Sequence, residues 1–333
     1  MITPKISVIM PVYNGATYLR EAIESILGQT FMDFEFIICN EYESDDGSAN
    51  IISEYAEKDS RVIPLQNYER LGISASLNRM LDIAKGEFIA RMDADDISGL
   101  RRFETQLIFM NRYPKIDCFG INHSVIGSNG WKVQYHSDPE IVKAQTLLFV
   151  PMRHPTIMWR ARCGIKYDDK MDGVEDMRLY QVMARRLKLS NIQDKSLFVY
   201  RVSDDMLSKK MKERDSLLHR DNIKQCCQEM LELRVDNYEA NALCFVLGST
   251  QYNGKKELFC LTRLEELLKS VIRANYNVRA YEPYALSYMV YHRWHKEIEW
   301  IKDKYKSKNN IPSKLLEIYE ASPFYRYAEY ERF

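Results

Sequence analysis

The segment Asp93–Asp96 (DADD) places three carboxylates within four residues, directly after an apolar run, Phe88–Met92, that is interrupted only by Arg91. The apolar run predicts a buried strand. Carboxylates gathered in the turn after a strand repel one another unless a cation or a buried donor compensates them. A hard divalent ion such as Mg²⁺ or Mn²⁺ binds oxygen ligands and leaves positions open for phosphate oxygens. The alternative is a solvated acidic turn before a helix that starts near Ser98.

A second acidic pair, Glu175-Asp176, precedes a predicted helix. A carboxylate in such a pair can act as a general base that takes a proton from an attacking hydroxyl. Acidic residues in the first turn of a helix also interact favourably with the helix dipole. Taken alone, the pair therefore favours a structural role over a catalytic one.

The N-terminal half predicts the elements that would bring such side chains together, because strand-like and helix-like segments alternate along it. The predicted strands are Ile6–Met10, Phe34–Cys39, Arg61–Leu65 and Phe88–Met92, and the predicted helices are Thr17–Gly28, Asn50–Glu57 and Ile73–Ala84. This alternation indicates a mostly parallel sheet with helices on both faces. Ligands of such sheets bind beyond the carboxyl ends of the strands. The segments Pro11–Asn14, Asn40–Asp45 and Asp93–Asp96 should therefore form the site.

The second half of the chain follows a different pattern. Residues 105–205 are mixed, with strands predicted at Thr156–Arg160 and Ser196–Arg201, and only helices are predicted after residue 207. Those helices are Leu217–Arg234, Ala240–Leu247, Lys256–Ala274 and Tyr281–Tyr305. We therefore predict an α/β domain over 1–207, with halves 1–98 and 99–207, and an all-helical C-terminal region over 208–333.

Composition excludes several classes of protein. The chain has 47 Lys and Arg against 47 Asp and Glu, a balance that argues against a nucleic-acid partner. The seven cysteines include no CxxC pair, which is typical of reduced core cysteines in a cytosolic protein. No apolar run approaches the roughly 20 residues that span a bilayer. We expect a cytoplasmic protein, and the basic, tyrosine-rich tail leaves peripheral contact with the inner membrane open.

Three segments in sequence order resemble the family 2 glycosyltransferases of the GT-A fold. They are ISVIMPVYNGATYLREAIESILGQTF, FEFIICNEYESDDGSANIISEYAEKDSRV and RLGISASLNRMLDIAKGEFIARMDADD. Further on, HPTIMWR, VEDMRLY and YRVSDDMLS resemble the acceptor half of the same family. The resemblance covers residues 4–208, and the chain is most similar to the bacterial enzymes that extend lipooligosaccharide, O-antigen or capsule. It implies a Rossmann-like GT-A domain.

The resemblance also implies roles for particular residues. Pro11, Val12 and Tyr13 would line the uracil and ribose pocket of a UDP-sugar. Asp93 would face the ribose or the water shell of the metal, and Asp95 would ligate Mn²⁺ or Mg²⁺ bound to the diphosphate.

The end of the second strand departs from the family pattern, which usually reads Asp-Asp-Gly-Ser-Thr-Asp. The register that keeps the next helix aligned puts Asn40–Asp45 in that place, so Glu41 would replace the aspartate that accepts a hydrogen bond from the uracil imide. Using Asp45–Ser48 instead would insert five residues between strand and turn. In the acidic pair, the resemblance implies that Asp176 is the general base and that Glu175 supports the loop or binds a sugar.

These expectations combine into an inverting, metal-dependent transferase. It would move a hexose or N-acetylhexosamine from a UDP-sugar to a hydroxyl of a growing cell-surface saccharide, one sugar per encounter, with a lipid-linked acceptor as one option. A GDP- or dTDP-sugar donor stays open because of Glu41. A second class, a catalytically weakened GT-A protein that acts as a scaffold in polysaccharide assembly, also stays open. A nucleotidyltransferase is disfavoured because the loop after the first strand is neither glycine-rich nor basic.

Overall fold

The computed structural model describes residues 3–127, 135–202, 213–246 and 255–292. It confirms the predicted fold class: a mostly parallel sheet flanked by helices, followed by a helical region. Contacts divide the chain into two units, one of residues 1–142 and 150–211 and the other of residues 143–149 and 212–333. The predicted boundary at residue 207 lies outside the described residues and stays a prediction.

The strands of the first unit are β1 (Ile6–Val12), β2 (Phe34–Asn40), β3 (Val62–Gln66), β4 (Phe88–Arg91), β5 (Ile97–Ser98), β6 (Cys118–Ile121), β7 (Ser124–Ile126), β8 (Met158–Arg160), β9 (Leu189–Ile192) and β10 (Phe198–Arg201). Its helices are α1 (Ala16–Leu27), α2 (Ser48–Lys58), α3 (Ile73–Ile83), α4 (Arg102–Arg112) and α6 (Glu175–Ala184), while α5 (Pro139–Gln145) ends in the second unit. Single 3₁₀ turns at His154–Thr156 and Lys195–Leu197 shorten two of the strands predicted from sequence.

The large sheet has the strand order β3-β2-β1-β4-β8-β6-β9. Strands β1 to β4 are parallel, and β8 is antiparallel to both of its neighbours. The order reverses at β1, because the chain passes outward from β1 to β3 and then returns to place β4 on the other side of β1. Such a reversal opens a crevice at the carboxyl ends of the strands, where ligands of open α/β sheets bind. A small sheet of order β5-β10-β7 adjoins this end through the chain from β4 to β5.

The core explains why these segments form strands. Side chains of successive strand residues point to opposite faces, so a strand buried on both faces is apolar at nearly every position. Val8 and Phe36 lie in one apolar cluster with side chains of α1 and α4, whereas Ile9 and Ile37 lie in the other with side chains of α3 and α6. The runs ISVIM and FEFIIC therefore form strands, and their side chains contribute to the apolar clusters on both faces of the sheet.

The second unit contains α7 (Glu213–Leu231), α8 (Asn237–Val246) and α9 (Lys255–Val278), and residues 283–292 are also helical. Buried side chains of this unit include Cys227, Leu243 and Leu268. No described helix of the chain has both the length and the apolar character needed to cross a membrane. The predicted helix Tyr281–Tyr305 and the basic tail lie largely or wholly in 293–333, outside the described residues.

The stability of the first unit should depend strongly on Trp159, which lies on β8 and is 1% exposed. Replacing a buried Trp by Ala removes apolar contacts and leaves a cavity, so Trp159→Ala should lower the free energy of unfolding by about 3–5 kcal/mol. Ile108→Ala on α4, where the side chain is 52% exposed, is the matched control and should change it by less than about 0.5 kcal/mol. Urea unfolding measures both, and equal losses would contradict the assigned core.

Candidate active site

The three aspartates after β4 converge at the point where the sheet order reverses. Strand β4 ends at Arg91 and the chain turns before β5, so side chains that a continuing strand would send to opposite faces lie together. One carboxylate oxygen from each of Asp93, Asp95 and Asp96 lies within 4.8 Å of the others. Asp96 is buried, and the other two are partly exposed.

Two arginines hold this acidic turn. The buried guanidinium of Arg91 forms an ion pair with Asp93. Arg201, at the end of β10, donates its backbone N–H to Asp96 Oδ1 at 2.8 Å and its Nε–H to the Asp95 carbonyl at 2.8 Å. The turn is therefore bonded to two strands from different sheets.

Negative charge in the turn still exceeds what these cations compensate. Burial, and then the charge of Asp93, raises the pKa of Asp95 to about 6. The same two causes, in the same order, raise the pKa of Asp96 well above its usual range. Asp96 Oδ2 is buried and has no hydrogen-bond partner among the described residues. A set of oxygen ligands with excess negative charge fits a hard divalent cation, so the residues present match the metal that the sequence resemblance implies.

The loop after β1 lies against this turn. A Cβ added at Gly15 would come within 3.2 Å of the Ala94 Cβ, so the first turn of α1 approaches the acidic turn closely. Of the residues predicted to line a nucleotide pocket, Pro11 is half-buried, Val12 is buried and Tyr13 is exposed. Pro11 and Val12 end β1 and Tyr13 directly follows it, next to the aspartates that follow the neighbouring strand β4.

Glu41 directly follows β2, and its carboxylate is buried among hydrogen-bond donors of its own chain. Its oxygens accept four N–H groups, from Tyr42 N at 2.8 Å, Asn67 Nδ2 at 3.1 Å, Leu71 N at 3.3 Å and Gly72 N at 2.8 Å. A carboxylate has about four acceptor sites. The contact with a uracil imide stays a prediction, and it would have to share an oxygen that already accepts a bond.

The later acidic stretch, Asp45–Ser48, joins two helix starts. Gly47 immediately precedes α2 with φ +92°, a conformation that L side chains rarely adopt. Asp46 accepts the Ala16 N–H at 2.7 Å and the Ser48 N–H at 3.1 Å. Its carboxylate thus satisfies backbone donors at the starts of α1 and α2.

Glu175 and Asp176 begin α6, as the sequence predicts. Glu175 Oε2 accepts the Gly173 N–H at 2.9 Å, and Asp176 Oδ1 accepts the Met177 N–H at 2.6 Å. Burial, and then the charge of Asp176, raises the pKa of Glu175 to about 7. Buried Arg91 pairs with Asp93, and its positive charge also acts on Glu175, so one cation interacts with both acidic groups.

Sequence reasoning missed the cations of this site and did not assign a metal-binding role to Asp96. Arg153 lies 4.2 Å from the centre of the Tyr200 ring and interacts electrostatically with both Asp176 and Asp96. Arg201 also covers the ring of Tyr18 at 4.1 Å. Asp96 lies inside the DADD segment, so its position in the sequence was enough to include it among the candidate metal ligands. Arg153 and Arg201 carry no local signal, because their acidic partners are far away in sequence.

The fold and the site together define a class. A parallel sheet whose order reverses beside a set of metal-compatible oxygen ligands is the arrangement of nucleotide-binding α/β proteins. Residues 7–184, more than half of the chain, match the family described as glycosyl transferase family 2. The chain therefore belongs to glycosyl transferase family 2 and is a glycosyltransferase, as the sequence motifs predict.

Two of the three relatives below are named as glycosyltransferases, and the third is named as a teichoic acid biosynthesis protein. An uncharacterised glycosyltransferase of Methanocaldococcus jannaschii is 34% identical over 64% of this chain and 77% of its own length. The glycosyltransferase EpsE of Bacillus subtilis is 37% identical over 47% of this chain and 57% of its own length. The minor teichoic acid biosynthesis protein GgaB of the same organism is 29% identical over 60% of this chain. The match to GgaB spans 23% of that protein, so this chain corresponds to only part of it.

Solved structures share the fold. Residues 1–349 of TarS from S. aureus, in complex with UDP-GlcNAc, superpose with a TM-score of 0.60 at 18% identity, over 82% of this chain and 84% of that one. A mannosyltransferase from Pyrobaculum calidifontis, in complex with GDP-Man and Mn²⁺, superposes with a TM-score of 0.54 at 14% identity, over 96% and 86%. At these identities the likeness establishes the GT-A fold and nothing finer.

The raised pKa of Glu175 predicts how stability depends on pH. Between its ordinary value of 4.5 and about 7, the folded protein keeps a proton that the unfolded chain releases, so the free energy of unfolding falls as pH rises through that window. Glu175→Gln removes this titration. The stability of Glu175→Gln relative to wild type should therefore increase from pH 5 to pH 8 in urea unfolding, and parallel pH curves would contradict the assignment.

Proposed function

We propose that this glycosyltransferase is an inverting, metal-dependent enzyme that transfers a hexose or N-acetylhexosamine from a UDP-sugar to a hydroxyl of a growing cell-surface polysaccharide. The observation that carries the proposal is the pairing of two acidic groups, Asp93–Asp96 and Glu175-Asp176, around the buried Arg91 at the carboxyl ends of the strands. The name of GgaB and the UDP-GlcNAc bound by TarS support this substrate class.

The donor would lie across the ends of β1, β2 and β4. Pro11, Val12 and Tyr13 would contact the uracil and ribose, with Glu41 at the edge of the base site. Asp95, with Asp93 beside it, would hold Mn²⁺ or Mg²⁺. The ion, when bound, supplies a Lewis acid that neutralises charge on the departing nucleotide diphosphate.

The acceptor hydroxyl would attack the anomeric carbon from the side opposite the diphosphate. A bond forms between the hydroxyl oxygen and that carbon, the bond from the carbon to the diphosphate oxygen breaks, and the hydroxyl proton passes to a carboxylate. We assign this general base to Asp176. Glu175 would support the loop or bind a sugar, and its carboxylate already accepts the Gly173 N–H.

The proposal places the reaction in the cytoplasm, at the inner face of the cytoplasmic membrane when the acceptor is lipid-linked. Lipooligosaccharide, O-antigen, capsule and teichoic acid precursors all present sugar hydroxyls of the required kind. Transfer would add one sugar per encounter. The GDP-Man bound by the mannosyltransferase of the same fold makes a GDP-sugar the first alternative donor to test.

Thermal stabilisation by UDP-, GDP- and dTDP-sugars, with and without Mn²⁺, tests the donor and the metal together. Stabilisation by a UDP-sugar that requires Mn²⁺ is expected, and Asp95→Ala should abolish it because the variant loses a carboxylate ligand. Asp46→Ala, which removes a carboxylate at the α1 and α2 starts and leaves the DADD segment intact, is the control variant. A folded wild-type protein that responds to no nucleotide sugar would instead favour the scaffold function.

The role of Asp176 as general base can be tested separately from the donor and the metal. Asp176→Asn keeps the side-chain shape and an oxygen for the Met177 N–H but cannot take a proton at neutral pH. Donor binding should be retained, whereas transfer should fall by about 10²–10⁴-fold, the usual contribution of a general base. Transfer rates at saturating donor and acceptor measure this. Undiminished transfer would exclude Asp176 and direct attention to Glu175.

A further inference from the structure

The segment that leads into the acidic pair is held by α3. This helix belongs to residues 1–98, the predicted nucleotide-sugar-binding half, which we call the donor half. We call residues 168–174 the base loop. The Asn78 side chain on α3 accepts the Tyr167 N–H at 2.8 Å and donates Nδ2–H to the Tyr167 carbonyl at 3.0 Å. The same Nδ2 also donates to Asp169 Oδ1 at 2.8 Å. One side chain of α3 therefore fixes the start of the base loop.

Asp172 fixes the middle of the base loop to the first turn of the same helix. Its Oδ1 accepts the Ser74 N–H at 2.9 Å, a backbone donor that lacks a partner within the helix. Its Oδ2 lies so close to Gly72 that a Cβ there would be 1.9 Å away, and Gly72 has φ +84°. Only a glycine lets the carboxylate approach in this way.

Short local hydrogen bonds link the backbone next to Asp172 to the acidic pair. The next residue, Gly173, donates its N–H to Glu175 Oε2 at 2.9 Å. Within the loop, the Val174 N–H bonds to the Met171 carbonyl at 2.9 Å. With so few residues between them, a displacement of Asp172 must displace the first turn of α6.

The same turn before α3 is fixed from the donor side by Glu41. The Glu41 carboxylate accepts the N–H groups of Leu71 at 3.3 Å and Gly72 at 2.8 Å. The turn that receives Asp172 is therefore bonded on its other side to the residue that follows β2. One turn connects the end of a donor-half strand to the loop that carries the acidic pair.

We propose that Asp172 and Asn78 are positioning residues, which set the place of the Glu175-Asp176 pair relative to the donor by holding the base loop on α3. This inference rests on the proposed function, because it assigns the acidic pair a role in transfer. A displacement of about 1 Å in a catalytic group can cost about 10²-fold in rate. The loss of either tether should therefore lower the rate of transfer more than it affects donor binding.

The central test compares two substitutions of one residue. Asp172→Ala removes the acceptor of the Ser74 N–H and should lower kcat by about 10–100-fold, with the donor KM and the metal-dependent stabilisation by UDP-sugar changed less than about 3-fold. Asp172→Asn keeps an Oδ1 acceptor, so kcat should return to within about 3-fold of wild type. An Asp172→Asn variant as inactive as Asp172→Ala would overturn the positioning role, because it would show that the charge or basicity of the carboxylate is what matters.

Asp82→Ala is the matched control. Asp82 lies on the same helix, and its exposed carboxylate pairs with the exposed Lys166, just before the base loop. Exposed ion pairs contribute about 0–1 kcal/mol, so kcat should stay within about 2-fold of wild type.

Asn78→Asp is a second variant that should weaken the attachment of the base loop to α3. It keeps the acceptor for the Tyr167 N–H but turns a carboxylate oxygen toward the Tyr167 carbonyl and Asp169. It should lower kcat as Asp172→Ala does, and unchanged kcat in both variants would overturn the inference.

Hydrogen–deuterium exchange separates this inference from the proposed function, because it requires no substrate. Amides of residues 168–176 should exchange at least about 10-fold faster in Asp172→Ala, and should exchange at the wild-type rate in Asp172→Asn and Asp82→Ala. Unchanged exchange in Asp172→Ala would overturn the tether even if the enzyme is active. Faster exchange in a protein that transfers no sugar from any donor would instead contradict the proposed function and leave the tether established.

Discussion

The mutual repulsion of the carboxylates in the DADD segment is the constraint on which the rest of the active-site region depends. Three carboxylates at the end of β4 lie close together in a site where burial raises the cost of charge. The chain offsets part of that cost with Arg91 and with donors of Arg201. The remaining negative charge is what makes the turn suited to a divalent cation and, through it, to a diphosphate.

The same constraint explains why elements distant in sequence meet here. Arg201 ends β10 of the small sheet, and its guanidinium also lies over Tyr18 of α1 and pairs with Glu21. Arg102 on α4 is fully buried and donates to the carbonyl of Arg91, the last residue of β4. The acidic turn is thus surrounded by cationic side chains from three elements, each of which also packs in the core or on a neighbouring helix.

Two connections join the two predicted halves of the first unit, residues 1–98 and 99–207. The charge of Arg91 acts on Asp93 in one half and Glu175 in the other. The base loop is bonded to α3 through Asn78 and Asp172. The proposed reaction would need a donor and a proton acceptor at a fixed separation, and these contacts would provide that restraint without requiring the ligand. They also explain why a glycine stands at residue 72, where the backbone and the Asp172 carboxylate need the space of a side chain.

The sequence by itself determined the alternation of strands and helices, the helical C-terminal region, the family and the place of the acidic turn. Each of these follows from local patterns: apolar runs such as ISVIM, helical spacing such as that of α1, and a short motif at a strand end. Only the tertiary structure decided the strand order, with β8 antiparallel between β4 and β6, and the replacement of residues 154–156 by a 3₁₀ turn. It alone also brought Arg153 and Arg201 to the aspartates and surrounded the Glu41 carboxylate with N–H groups of Asn67, Leu71 and Gly72. Such contacts join residues tens to more than a hundred positions apart, and no local pattern of side chains encodes them.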